Sequence, residues 1–114
     1  MTNSPFTANV RQTNGNTVLD LHGEINAQAE QAINQAYAEA ENYNPEVIVL
    51  NFSGVDYINS TGIALIVGLL AQARKVHRRL VVYGLSQHYV QIFQITRLSD
   101  FMDIFDDESS ALAN

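Results

Sequence analysis

Apolar and polar positions divide the chain into short apolar runs separated by longer amphipathic stretches. Phe6 to Val10 and Thr17 to His22 read as two strands flanking Asn14-Gly15-Asn16, whose Asn and Gly tolerate the positive φ that a tight hairpin demands. In Val18-Leu19-Asp20-Leu21 the apolar residues are nearly continuous, as in a strand covered on both faces. From Ala27 to Asn42 the period becomes helical: Ala29, Ile33, Ala36, Tyr37 and Ala40 share one face, with Gln, Glu and Asn between them. Asn26 stands before this segment as its N-cap, and Pro45 lies beyond its end.

Val47-Ile48-Val49-Leu50 is too short and too uniformly apolar for a surface helix and predicts a central strand. Asn51 to Asn59 then reads as a connector into Ser60-Thr61-Gly62 and a buried helix over Ile63 to Ala73. The cations Arg74, Lys75, Arg78 and Arg79 follow as a basic end that complements the helix dipole. Leu80-Val81-Val82-Tyr83 predicts another strand, Gly84 a turn, and Ser86 the cap of a helix whose face carries Tyr89, Val90, Phe93 and Leu98. Phe101 to Phe105 adds a short last strand, and Asp106-Asp107-Glu108 places negative charge at the favourable end of a terminal helix, Ser109 to Ala113. This alternation predicts one α/β domain over residues 1–114: a mixed, mainly parallel β-sheet opened by an N-terminal β-hairpin, with helices packed on it.

Composition narrows function more than fold. A chain of 114 residues, 46% of them hydrophobic, has room for one core and one surface site but not for a deep cleft between lobes. The absence of cysteine excludes disulfide scaffolds, thiol catalysis, zinc ribbons and iron–sulfur ligation. No positive charge precedes Arg11 and no apolar leader segment accompanies it. The longest apolar stretch, Ile63 to Ala71, is about half the ~20 residues a bilayer span needs. The expectation is a cytoplasmic protein without direct membrane insertion. Twelve acidic residues against six basic ones, net −6, repel phosphate backbones over most of the surface, so no nucleic-acid partner is expected.

Enzymatic signatures are missing. There is no phosphate-binding Gly-rich loop, no Gly-x-Gly-x-x-Gly after a strand and no Gly-x-Ser-x-Gly elbow, so neither a catalytic residue nor a cofactor is assigned. His22, His77 and His88 occur singly, without a partner at helix-face spacing, and the acidic run from Asp100 to Glu108 lacks the Gly and the final Glu of an EF-hand loop. No metal site is assigned either. The sequons at Asn51 and Asn59 carry no meaning without a secretory signal.

One segment stands apart: Asp56-Tyr57-Ile58-Asn59-Ser60-Thr61-Gly62 sets hydroxyl-bearing residues at the start of a helix. A helix N-terminus presents unpaired backbone N–H groups and roughly half a positive charge, which can hold a phosphate. A phosphoryl group on Ser60 would add about −1.5 to −2 charge and three strong acceptors. The same residues also have a plainer reading, because Ser is a favoured N-cap and Gly62 allows close packing. Behind them Ile63, Leu65, Ile66, Val67, Leu69 and Leu70 wrap most of the helix, more than a core stripe needs. Either the helix is sandwiched on all sides, or Leu65 and Leu69 form an apolar patch beside Ser60 that another protein covers. The second arrangement is the expectation.

These motifs resemble, over nearly the whole chain, the STAS domains, named for sulfate transporters and anti-sigma factor antagonists. Leu21-His22-Gly23-Glu24-Ile25-Asn26 is similar to the family's Leu-x-Gly-Glu-Leu-Asp, and Val49-Leu50-Asn51-Phe52-Ser53-Gly54-Val55 to its Val-Leu-Asp-Leu-x-x-Val. Ile58-Asn59-Ser60-Thr61-Gly62 resembles the Asp-Ser-Ser-Gly or Asp-Ser-Thr-Gly signature. Leu80 to Ser86 and Phe93 to Leu98 follow in the family's order and spacing.

The resemblance implies a bacterial anti-sigma factor antagonist, a binding module rather than an enzyme. Its partners would be an anti-sigma factor that is also a serine protein kinase and a serine phosphatase that reverses the modification. Ser60 is the implied phosphorylation site, with Thr61 as fallback. The implied partner-binding residues are Asn26, Asp56, Tyr57, Asn59, Ser60, Thr61, Gly62, Leu65 and Leu69. The alternative is a non-phosphorylated STAS scaffold, or an accessory cytoplasmic subunit of a transport or signalling complex. Two positions depart from the family: its Asp is Asn at both Asn26 and Asn59, which puts neutral amides where carboxylates usually flank the hydroxyl.

Overall fold

A computed structural model describes residues 5–113; Met1–Ser4 and Asn114 lie outside them, and with them the first residues of the segment read as lacking a leader. Asn14 and Gly15, at φ 51° and 80°, make the two-residue turn between β1 (Thr7–Thr13) and β2 (Asn16–Ile25). Three further strands follow: β3 (Val47–Ile58), β4 (Arg79–Tyr83) and β5 (Asp103–Phe105). The sheet order is β1-β2-β3-β4-β5, antiparallel in the first pair and parallel in the others, which makes it the mixed, mainly parallel sheet opened by a hairpin that the sequence predicts.

The helices are α1 (Glu30–Glu41), α2 (Ser60–Lys75), α3 (Gln87–Ile95) and α4 (Glu108–Leu112), with 3-10 turns at Ala27–Ala29 and Leu98–Asp100. Among the described residues no helix is long and apolar enough to cross a membrane.

The two-residue period of the strands sorts the side chains into two layers. Leu19, Leu21, Ile48, Leu50, Phe52 and Val82 face one core, which Ile33 and Tyr37 of α1, Ile66 and Leu69 of α2 and Phe93 of α3 complete. The rings of Phe52 and Phe93 meet edge to face, 6.1 Å apart. Each such side chain contributes roughly 1.5–3 kcal/mol by leaving water, so this layer dominates the stability of the fold. Val18, Val49, Val81 and Tyr83 face the other way, where Ala111 of α4 packs on them. The reading of Val18 to Leu21 as covered on both faces therefore holds.

Beside that second layer runs a polar row. Asn9, Asp20, Asn51 and Tyr83 are register neighbours across four strands. Arg11 Nε donates to Asp20 at 2.7 Å and Asn51 Nδ2 donates to the same carboxylate at 2.7 Å. The Arg11 guanidinium also pairs with Glu108 of α4, which accepts from the Tyr83 hydroxyl at 2.6 Å. Burial pushes the Asp20 carboxyl up, but the bonds from Arg11 and Asn51 outweigh it and leave it below the usual range. Arg11 first, then Tyr83, holds the Glu108 carboxyl below its usual range.

Two expectations are corrected. The segment from Asn51 to Asn59 is not a connector: β3 runs on to Ile58, because β2 offers it a partner as far as Ile25. Ser53, Gly54 and Asp56 are poor strand formers, and pairing with a neighbouring strand overrides that preference. Nor do all four cations cap a helix. α2 ends at Lys75, and His77, at φ 58°, turns the chain away from it. Arg74 and Lys75 lie in the last turn, whereas Arg78 donates to the Pro45 carbonyl at 2.8 Å and pairs with Glu41 at 3.2 Å, and Arg79 pairs with Asp103.

Candidate functional site

β2 and β3 end side by side, Ile25 opposite Ile58, so Asn26 and Asn59 follow them together at the C-terminal end of these two inner strands, the edge at which the site lies. Each caps what comes next. Asn26 Oδ1 accepts from the Gln28 N–H at 2.9 Å and opens the 3-10 turn; Asn59 Oδ1 accepts from the Gly62 N–H at 2.9 Å and opens α2. The N-cap of α2 is therefore Asn59, and Ser60 is the first residue inside the helix rather than its cap. An amide side chain caps as well as a hydroxyl, and the extended backbone of Asn59 (φ −91°, ψ −176°) suits that role.

The start of α2 is pressed onto the neighbouring strand. The Asn59 N–H donates to the Ile25 carbonyl at 3.2 Å. A Cβ at Gly62 would collide with that same carbonyl, so only glycine fits there. From the other side Tyr89 of α3 reaches the end of β3: its hydroxyl accepts from the Ile58 N–H at 2.8 Å and donates to the Ile58 carbonyl at 3.4 Å. Tyr89 is buried and fixes the strand end from which Asn59 and Ser60 emerge. The sequence placed it only on the apolar face of a helix; a Tyr in a stripe that Phe would serve was the available signal.

Ser60 and Thr61 are both exposed in the first turn of α2. The Gly62 N–H is taken by the cap and the Ile63 N–H by the Asn59 carbonyl at 2.9 Å, which leaves the amides of Ser60 and Thr61 without intrahelical partners. Upstream, the β2–β3 register shifts between Gly23 and Glu24, opposite Val55 and Tyr57, so Asp56 is an extra residue that pairs with nothing on β2. Asp56 is exposed beside the half-exposed Tyr57. The edge thus gathers Asn26, Asp56, Tyr57, Asn59, Ser60, Thr61 and Gly62.

The two leucines do not join them as expected. Leu69 is fully buried in the main core, and Leu65 is half-buried against it. Gly62, Ile66, Leu69, Leu70 and Ala73 define the buried side of α2, so the side facing solvent carries Ala64, Val67, Gly68 and Ala71. The helix is neither wrapped on all sides nor faced by leucines. Its exposed strip is apolar but built of small residues, with Val67 at 44% exposure the largest of them. Among the described residues no three of His, Asp and Glu gather as a metal site.

The STAS domain family model matches residues 7–111. An anti-sigma-B factor antagonist of Listeria monocytogenes is 30% identical over 92 residues, which cover 81% of this chain and 81% of that protein. An anti-sigma factor antagonist from Mycobacterium paratuberculosis has a crystal structure similar to this fold, with TM-score 0.83 at 20% identity over 96% of this chain and 92% of that one. The Bacillus cell fate determinant SpoIIAA in its phosphorylated form is similar with TM-score 0.71 at 22% identity, over 94% and 97% of the two chains. Sequence and architecture agree: this chain belongs to the STAS domain family.

Proposed function

We propose that this protein is an anti-sigma factor antagonist, a binding module that captures an anti-sigma serine kinase through the Ser60 end of α2 and is released when Ser60 is phosphorylated. The observation that carries the reading is the exposed hydroxyl of Ser60 at the first turn of α2, continuous with an exposed apolar strip on the same helix. The naming of the Listeria relative supports the same function.

In the modification step the Ser60 oxygen attacks the γ-phosphorus of ATP, its proton goes to a base on the kinase, and ADP leaves. Hydrolysis by a serine phosphatase restores the hydroxyl. The phosphoryl group brings about −1.5 to −2 charge, which the free amides of the first turn and the positive helix end accommodate without unfolding the domain. A partner lying on the apolar strip would have to cover that charge and strip its water. Burying an unpaired ion costs several kcal/mol, enough to reverse a docking equilibrium.

The test is incubation with ATP and candidate serine kinases of the source organism, followed by mass spectrometry and pull-down with wild type, Ser60→Ala and Ser60→Asp. Phosphate on Ser60, retention of the partner by Ser60→Ala and a loss of at least tenfold in affinity with Ser60→Asp are expected. Equal affinity of Ser60→Asp and wild type would refute the switch. Partner binding with no phosphate on either Ser60 or Thr61 would instead identify an unmodified scaffold.

A further inference from the structure

In the C-terminal half of α2, about 10 to 21 Å along the helix axis from Ser60, a groove of about 400 Å³ runs between the helix and the chain that follows the 3-10 turn Leu98–Asp100. Val67, Leu70, Ala71, Arg74 and Phe101 line it. Phe101 is 53% exposed, a large ring for a surface position. Leu70, Arg74 and Phe101 also border a second hollow of about 470 Å³, which continues the groove toward His77, Arg78 and Arg79.

The charge here is opposite to that of the rest of the molecule. Four of the six cations of a chain of net charge −6 fall between residues 74 and 79. Arg11 is paired with Asp20 and Glu108, Arg97 with Asp100 just before Phe101, and Arg78 and Arg79 with Glu41 and Asp103. Arg74 and Lys75 form no salt bridge among the described residues. The Arg74 guanidinium instead lies over the Phe101 ring, 4.8 Å from its centroid, which occupies its flat face and leaves its N–H edge available to an acceptor.

We infer that this groove binds an acidic peptide segment of another protein: a bulky apolar side chain sits between Val67 and Phe101, and a flanking carboxylate meets Arg74, with exposed Lys75 next along the helix adding to the positive field. An apolar floor with a cationic rim selects that combination. A second copy of this chain would bring net −6 against net −6 outside the patch, and a nucleic acid would meet the same repulsion. Val67 and Ala71 also belong to the exposed strip of α2, so the acidic segment and the proposed kinase would compete for that part of the helix; the free chain needs no modification of Ser60 to bind the peptide, so failure here and failure of the switch are distinguishable.

The probe is a fluorescein-labelled dodecapeptide of Asp and Glu with a central Leu-Phe pair, titrated into the ¹⁵N-labelled full chain. Controls are the same peptide with every acid changed to Lys, the acidic peptide with Leu-Phe changed to Ser-Ser, and a twelve-nucleotide single-stranded DNA. Saturable shifts at the amides of Val67, Ala71, Arg74 and Phe101 are expected with the first probe alone, weakening as salt rises. Arg74→Glu and Phe101→Ala should each weaken binding at least tenfold, Arg74→Lys should restore most of it, and Ser60→Asp should change it less than twofold. Both tested side chains are exposed, and thermal melts confirm that the variants are folded. Equal binding of the Lys, Ser-Ser or DNA probe, or no shift in the groove at millimolar peptide, overturns the inference. So does sedimentation showing a dimer that Phe101→Ala dissolves, since a second copy would then be the occupant.

Discussion

Asn59 carries two jobs that the sequence had divided. It caps α2, and it stands next to the hydroxyl that the proposed switch would modify. Removing the cap bond costs typically about 1 kcal/mol, whereas Asp caps as well as Asn. Asn59→Ala should therefore lower the urea-unfolding free energy by about 0.5–2 kcal/mol, and Asn59→Asp should stay within about 0.5 kcal/mol of wild type. If the two variants unfold alike, the cap bond carries no weight. At this scale the start of α2 was legible only in part: Asn26 caps the turn that follows it and Gly62 lies where only glycine fits, whereas the cap of α2 is Asn59 and not the Ser60 that cap preference suggested. Tyr89 was not legible, because its role depends on a hydrogen bond to Ile58, 31 positions away, that no local pattern announces.

α2 shows how an element escapes a one-dimensional reading. Six large apolar residues between Ile63 and Leu70 blur the helical stripe, and only packing against the sheet decides that Leu69 turns inward while Val67 turns outward. Gly68 lies on the outward side with open space where a Cβ would stand, and nothing in the domain's own packing calls for glycine there. Glycine inside a helix is less favourable than alanine by roughly 0.8–1 kcal/mol. Gly68→Ala should stabilise the free protein by about that amount in chemical denaturation. A partner that approaches the strip closely would bind this variant more weakly, so stability and affinity should move in opposite directions. β3 gives the converse lesson: its second half lacks strand-forming residues, and β2 supplies the pairing that holds it.

Over the whole molecule the sheet is insulated unequally. Three helices bury one side, while the other relies on five-residue α4 and on the cluster of Arg11, Asp20, Tyr83 and Glu108. Asp20 and Glu108 both have folded-state pKa values below their ordinary ones. The stability they add is therefore complete above the ordinary carboxylate range and is lost as pH falls through their lowered values. α4 should loosen first on acidification, which hydrogen exchange at Ala111 and Leu112 would register ahead of the core strands. Glu108→Gln should weaken the docking of α4 at neutral pH and flatten its acid dependence. Unchanged exchange down to the pH of global unfolding would rule out that order of events. The mainly parallel core and the hairpin were readable because period and turn chemistry are local. The cluster was not, since it joins residues up to 97 positions apart.

The unpaired position at Asp56 has a further consequence. Because the strands regain their register on either side of it, its side chain can be exchanged without rewriting the ladder that supports the rest of the edge. If the proposed docking at Ser60 reaches back along β3, variation at this one exposed place would alter which visitors are admitted while leaving the architecture as durable as before. Selectivity and robustness are thereby uncoupled, and a lineage of such domains could diverge in allegiance without first surviving a loss of fold.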